Sequence, residues 1–391
     1  MVRRVCVITA SRADYGLLRP LLTLLDSQEA FELQLVVGGT HLQAEFGETW
    51  KEIQADGFDI AEKVDFFLGN ETALAVADGA AAALRGFATA IDRLKPELVI
   101  LLGDRYETLS AAVAATLLSV PIAHIHGGEI TLGANDDAFR HAITKMAHIH
   151  FTAAERYRKR VIQLGESPDR VFNVGALGLD AIRNLSLLSR EEVTEVLGLD
   201  PSSSYVVMTY HPVTRTSENP SDAIDLLIEA ILETPGLQVV CTGANADAGG
   251  REISARLDYH RHRCPGRVKC FPSLGQRRYI SAIRHSTGVV GNSSSGIIEA
   301  PSLQVASLDI GNRQQGRLRA DSVLHADSSA ESIREGLRRL LELQGRQPAT
   351  LYRNPYGEGY AAGRILAHLS QCPWPLPLIK PFHDIAFDVG I

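Results

Sequence analysis

Between Gly103 and His141 the chain carries Gly-Asp-Arg-Tyr-Glu, His-Ile-His-Gly-Gly-Glu and Asp-Asp-Ala-Phe-Arg-His-Ala-Ile-Thr-Lys in close succession. Asp104, Glu107, His126, Glu129, Asp136 and Asp137 therefore gather near one expected sheet edge. Ionisable groups at that density are expensive to bury unless each is paired. A catalytic cleft uses them as general acids and bases. Asp104 directly follows the apolar run Leu98–Leu102, where the alternative use of an aspartate is to cap the next helix. His124 and His126 stand at strand spacing and so are expected to share a face, and the two glycines after them would let backbone approach a ligand. Metal ligation is the rival use of His124, His126, Glu129, His148 and His150, but neither a helical His-Glu-x-x-His nor a cysteine cluster accompanies them. The pairs read as acid/base or core groups, with His148 and His150 assigned to the packing of the neighbouring strand and no metal expected.

A second cluster has the chemistry of an anion site. Gly291-Asn292-Ser293-Ser294-Ser295-Gly296-Ile297-Ile298-Glu299 follows a short strand and opens a helix, so hydroxyls and free N–H groups converge at a helix N-terminus. An ordinary cap explains one serine, not Ser293, Ser294 and Ser295 flanked by glycines. No Gly-Lys-Ser/Thr follows, so this is not a Walker loop. Glu299, one turn on, is placed to accept from ribose hydroxyls. His211 at a strand end and Arg313 in Gly-Asn-Arg-Gln-Gln-Gly would complete a pocket for a nucleoside diphosphate. The first turn, Thr9-Ala10-Ser11-Arg12-Ala13-Asp14-Tyr15-Gly16, lacks Gly-x-Gly-x-x-Gly, which argues against a bound dinucleotide. Arg12 offers a fixed cation to a phosphate there, or else pairs with Asp14 at the surface.

Placing these groups requires strands that end where they begin. Short β-branched runs alternate with helical patterns throughout, the signature of parallel sheets covered by helices. Strands are predicted at 5–9, 32–37, 98–102, 122–125, 148–152 and 171–174, then at 205–210, 238–241, 268–271, 288–290 and 305–308. Helices are predicted over Asp14–Asp26 and over the Ala-rich stretch Glu71–Leu94. The pattern restarts after Ser186–Ser204, so the expected fold is α/β with two Rossmann-like domains, 1–185 and 186–365, facing across a cleft lined by strand carboxyl ends. A helical pattern over 360–371 opens a Pro-rich tail, 366–391, expected to pack back on the first domain.

At 391 residues the chain exceeds what one core usually supports. Thirty-nine basic against 46 acidic residues give a net charge of -7, unsuited to neutralising a nucleic-acid backbone. Five scattered cysteines without a Cys-x-x-Cys pair fit a reducing compartment, the cytoplasm. The N-terminus runs straight into a strand without a signal-peptide core, and no uninterrupted apolar stretch approaches the roughly 20 residues that span a bilayer. Neither nucleic acid nor membrane is expected as a partner.

Taken in order, Ser-Arg-Ala-Asp-Tyr-Gly, Gly-Asp-Arg-Tyr-Glu, His-Ile-His-Gly-Gly-Glu, Asp-Asp-Ala-Phe-Arg-His-Ala-Ile-Thr-Lys, Gly-Asn-Ser-Ser-Ser-Gly and Asn-Pro-Tyr-Gly-Glu-Gly resemble the hydrolysing UDP-N-acetylglucosamine 2-epimerases of sialic and related nonulosonic acid synthesis, over nearly the whole chain. The resemblance implies a GT-B type fold, a UDP-sugar substrate, no cofactor and a homo-oligomer. It implies nucleotide contacts from His211, Ser293, Ser294, Glu299 and Arg313, with Ser295 and Gly296 completing the loop and Arg12 reaching the diphosphate. Asp104 and Asp136 match two acidic positions tied to catalysis. A third, glutamate in several members, is His126 here, and Glu129 is expected to share its role. The implied reaction converts UDP-N-acetylglucosamine to N-acetylmannosamine and UDP. The same reaction on UDP-2,4-diacetamido-2,4,6-trideoxyglucose, the legionaminic acid branch, is the close alternative. Retaining glycosyl transfer, non-hydrolysing epimerisation and non-catalytic UDP-sugar sensing are more distant ones.

Overall fold

The computed structural model describes residues 2–67, 72–131, 135–212, 220–243, 250–344 and 352–386. They form two compact units, the first Met1–Glu129, Asn135–Ala181 and Gly359–Ile391, the second Ile130–Ala134 and Ile182–Glu358. The chain thus passes between units at 182 and again at 359, where the sequence pattern had set the changes at 186 and 366. Asp180 ties both crossings together, its carboxylate accepting from the N–H groups of Ala361 and Ala362 at 2.8 and 2.7 Å. The helix Ala361–Gln371 packs on the helix Arg12–Asp26, burying Ile365 and Leu369 in the first core.

The first unit holds β1 (Arg3–Thr9), β2 (Phe31–Gly38), β3 (Ile60–Val64), β4 (Leu98–Leu102), β5 (Ile122–Ile125), β6 (Ile149–Thr152) and β7 (Val171–Asn173), in the order 3-2-1-4-5-6-7. The second holds β8 (Tyr205–Thr209), β9 (Gln238–Thr242), β10 (Val268–Phe271), β11 (Gly288–Gly291), β12 (Ser307–Ile310) and β13 (Val323–Ala326), in the order 10-9-8-11-12-13. Each pair among the described strands is parallel, from β1 on β2 and β4 to β8 on β9 and β11. A parallel strand covered on both faces is apolar along its whole length, as β4, Leu-Val-Ile-Leu-Leu, is. Helices lie on both faces of each sheet, with separate apolar clusters on the two sides.

Two strands were not anticipated, β3 and β13, and both are sheet edges with mixed burial. A third, expected at 305–308, lies at Ser307–Ile310. Its polar residues have internal partners, Ser307 Oγ donating to Gly296 O at 2.5 Å and Asp309 pairing through Oδ2 with Arg319 at 2.5 Å. The Ala-rich helix runs Ala73–Leu94, capped by Thr72 Oγ1 accepting from Ala75 N, while Glu71 lies outside the described residues. Among the described residues it is the one helix long and apolar enough, by length and composition, to cross a membrane. Here Gly79, Ala83, Phe87, Ala90 and Ile91 form its buried side, and Asp78, Arg85, Asp92 and Arg93 interrupt its apolar run.

In each sheet the strand order reverses once, between β1 and β4 and between β8 and β11. Crossovers leave those points to opposite sides and open a crevice at the carboxyl ends of the strands. Arg12 follows β1 and Asp104 follows β4; His211 follows β8 and the serine loop follows β11.

Burial sets one measurable property of the fold. It pulls the imidazole of His41 down to about 4, and those of His124 and His211 to about 3, from a usual 6.5. All three stay neutral in the folded protein while the unfolded chain takes up protons below 6.5, so stability is full above that pH and is lost as pH falls. Each group should remove on the order of 1 kcal/mol between about pH 7.5 and about pH 5.5. Urea unfolding followed at the two pH values should show the first unit, which holds two of the three, losing more than the second. A pH-independent midpoint would contradict the assigned protonation states.

Candidate active site

Asp104 leaves the end of β4 and pairs with Arg140, whose side chain is 2% exposed. Arg140 comes from the helix Asn135–Met146 and also lies 3.7 Å from Asp137, the neighbour of Asp136 in its first turn. One guanidinium therefore joins the β4 end to the acidic start of that helix. Asp104 is not a cap: the helix Tyr106–Leu117 has Arg105 at its N-cap and no side-chain cap bond. Glu107 is buried and accepts from Arg105 Nε at 2.6 Å. Asp14 lines a small pocket with it beyond β1 and β4. Burial pushes the Asp14 carboxyl up to about 6, with Arg105 opposing and Glu107 reinforcing the shift. Arg12 pairs with Glu52 at 3.2 Å and not with Asp14, and its side chain is half exposed.

β5 stops at Ile125, and His126 turns into the left-handed region with φ +67°, so the alternation that would align it with His124 does not extend that far. His124 Nε2 donates to Gly103 O at 2.7 Å and its Nδ1 therefore accepts from Thr144 Oγ1 at 3.1 Å. That ring is a structural tie between the ends of β4 and β5. His126 Nε2 accepts from Leu177 N at 3.4 Å, and its Nδ1 lies 3.0 Å from Glu129 Oε1. The two glycines that follow His126 are closely packed: a Cβ on Gly128 would lie 2.5 Å from Tyr157 O and one on Gly127 3.0 Å from Thr144 Oγ1. His148 donates to Leu378 O at 3.1 Å, and His150 meets the buried Glu166 at 3.1 Å, a carboxylate that also holds Lys145 and Lys380. Among the described residues no three His, Cys, Asp or Glu side chains are grouped to hold a metal ion.

In the second unit His211 follows β8, buried, with its imidazole kept neutral by desolvation and by the charge of Arg313. The helix Ser295–Ser302 begins after Ser294, whose side chain makes no cap bond. Ser293 Oγ lies 3.4 Å from Ser295 Oγ and accepts from Ser295 N at the same distance. Gly296 packs close on β12, where an added Cβ would meet Ser307 at 3.4 Å. Tyr279, not anticipated from sequence, reaches Thr209 Oγ1 at 3.4 Å, and Thr209 meets Thr242 at 2.6 Å. Burial raises the Tyr279 hydroxyl, and the nearby Glu299 charge adds to the rise while Ser293, Ser295 and Thr209 oppose it. Arg313 Nη1 donates to Asn292 O at 3.1 Å.

Arg12, Asp104, His126, Glu129 and Asp136 thus belong to the first unit, and His211, Ser293, Ser294, Ser295, Gly296, Glu299 and Arg313 to the second. The first set is suited to proton transfer. The second, with hydroxyls, a helix N-terminus and a guanidinium, is suited to a phosphorylated ligand. Arg140 was passed over in the sequence although it is a cation inside an acid-rich motif, the one signal that could have singled it out.

The family model described as UDP-N-acetylglucosamine 2-epimerase matches residues 23–370. A Legionella pneumophila protein, UDP-N,N'-diacetylbacillosamine 2-epimerase (hydrolyzing), is 37% identical over 95% of this chain and 97% of its own. A Campylobacter jejuni GDP/UDP-N,N'-diacetylbacillosamine 2-epimerase (hydrolyzing) is 37% identical over 83% of this chain and 84% of its own. The crystal structure of the Neisseria meningitidis UDP-GlcNAc 2-epimerase bound to UDP-GlcNAc superposes with a TM-score of 0.81 at 17% identity, covering 94% of this chain and 100% of that one. The two-domain α/β fold is therefore of the GT-B type that these enzymes share.

The Arg140 pair can be tested directly. Arg140→Gln removes a buried cation and leaves Asp104 uncompensated, which should cost about 3 kcal/mol in urea unfolding. Adding Asp104→Asn should restore part of that loss. Loss below about 0.5 kcal/mol in the single variant would show that the pair is not what holds the β4 end.

Proposed function

The chain belongs to the UDP-N-acetylglucosamine 2-epimerase family, and from that we propose that it is a hydrolysing 2-epimerase, converting a UDP-2-acetamido sugar to UDP and the free sugar inverted at C2. The observation that carries the reading is the 37% identity to a hydrolysing 2-epimerase over 95% of the chain. In the substrate, the hydrogen on C2 is not adjacent to a carbonyl, so its direct removal is prohibitive. Departure of UDP from C1 gives oxocarbenium character that acidifies C2. The C1–O bond breaks toward UDP, a base takes the C2 proton, and a 2-acetamidoglucal results. Water then returns a proton to the opposite face of C2 and hydroxyl to C1. This chemistry needs donors on the diphosphate, a base on one face and an acid on the other.

The assignments follow the two sets of residues. Ser293, Ser294, Ser295, His211 and Arg313 hold the nucleotide diphosphate, with Gly296 allowing the close helix start, Glu299 on the ribose and Arg12 assisting the leaving group. Asp104, Asp136 and the His126–Glu129 pair act at C1 and C2. The closeness of the Glu129 carboxylate to the His126 ring supports reading the two as a pair. Of the candidate sugars, UDP-2,4-diacetamido-2,4,6-trideoxyglucose is favoured by the names of the Legionella and Campylobacter relatives. UDP-N-acetylglucosamine is the second reading, favoured by the family description and by the ligand of the Neisseria structure.

Purified protein incubated with each UDP-sugar in deuterated water, followed by NMR, should release UDP and a manno-configured sugar deuterated at C2. The 2,4-diacetamido sugar should be turned over with the higher kcat/KM. An unlabelled product would remove proton abstraction from the scheme, and a UDP-sugar product would make the enzyme non-hydrolysing. Asp104→Asn should lower kcat by about 100-fold or more while UDP affinity stays within about threefold; equal loss of both would deny Asp104 a chemical role.

A further inference from the structure

Where β8 and β11 part, the two chains are pressed together. Gly291 pairs with Thr209 as the last rung between them, with φ +129°, and a Cβ there would lie 2.1 Å from Thr209 O. Only glycine fits so close an approach. Beyond that rung the backbones can no longer pair, yet His211, two residues past the end of β8, must be held. Asn292 does this with its side chain. Its N–H still bonds Thr209 O at 3.2 Å, its Oδ1 accepts from His211 N at 2.7 Å, and its Nδ2 donates to His211 O at 2.8 Å. The carboxamide thus replaces a rung of the ladder that the diverging strands lose. Asn292 is fully buried, so no water competes for these bonds. Its carbonyl is held as well, accepting from Arg313 Nη1 at 3.1 Å and Gln314 Nε2 at 2.8 Å.

We propose that Asn292 is the positioning residue of the nucleotide site, fixing His211, the serine loop and Arg313 in one arrangement. The loops after β8, β11 and β12 otherwise belong to three separate strands, and this one residue bonds all three. The side-chain type is dictated by the task. Aspartate offers no donor to His211 O, serine is too short to span both main-chain groups, and glutamine is one methylene too long. The inference rests on the reading of His211, Ser293, Ser294 and Arg313 as UDP ligands. It adds that their mutual placement, and not only their presence, determines diphosphate affinity.

The test uses the full chain with UDP as probe, in calorimetric titrations, beside amide hydrogen exchange of the segments 205–212 and 291–296. Asn292→Ala should weaken UDP binding by about tenfold or more and speed exchange in both segments, with little change in segment 238–242. Arg313→Ala should also weaken binding, and the double variant should lose no more than the worse single one, because the guanidinium is already misplaced. In Asn292→Asp the acceptor is kept and the donor returns only when the carboxyl is protonated, so its UDP affinity should recover toward wild type as pH is lowered. UDP affinity within about twofold of wild type in folded Asn292→Ala, or strictly additive losses in the double variant, would overturn the proposal. A wild-type protein that binds no UDP would instead refute the functional reading, and unchanged exchange at 205–212 in Asn292→Ala would then dispose of the clamp on its own.

Discussion

Parallel strands cannot be joined by tight turns. Each must be followed by a crossover to the opposite end of the sheet, and right-handed crossovers that start in the middle leave toward both sides. At β1/β4 and at β8/β11 this constraint leaves strand ends whose peptide groups have no further ladder partners. The polar residues of this protein are solutions to that local shortage. His124 bonds the carbonyl of Gly103 as β4 ends, and Asn292 bonds both main-chain groups of His211 as β8 ends. Groups needed for chemistry are therefore supported by groups needed for the fold.

The two units solve their charge problem differently. In the first, Asp104 and Asp137 collect near the buried guanidinium of Arg140, and Glu129 lies beside the His126 ring. In the second, charge is sparse, and the donors are hydroxyls and a neutral imidazole beside Arg313.

Much of this was legible from the chain. β4 and β5 lie at their anticipated residues, because buried parallel strands are short, largely apolar runs. β3 and β13 were missed because these two edge strands are half exposed and carry Glu62, Lys63 and His325 where such a run would be apolar. β12 was displaced because Ser307 and Asp309 are polar residues buried with internal partners, which no periodicity can reveal. At the site, residue types and motif order pointed to the acidic cluster and the serine loop. What stayed hidden were the residues that act through others. Arg140 and Asn292 each sat inside a recognised motif, but their work is defined by long-range partners in neighbouring loops. The left-handed turn at His126 was hidden for the same reason: spacing alone carried the strand alternation one residue past Ile125.

The return of Ala361–Gln371 to the first unit has a consequence for biosynthesis. Ile365 and Leu369 complete a core that begins with Val5 and Val7, and Asp180 waits for the amides of Ala361 and Ala362. On a ribosome, the second unit leaves the exit tunnel whole while the first is still short of its closing helix. The lobe made first is thus finished last, and until then its Leu18–Leu25 surface is a natural client for chaperones.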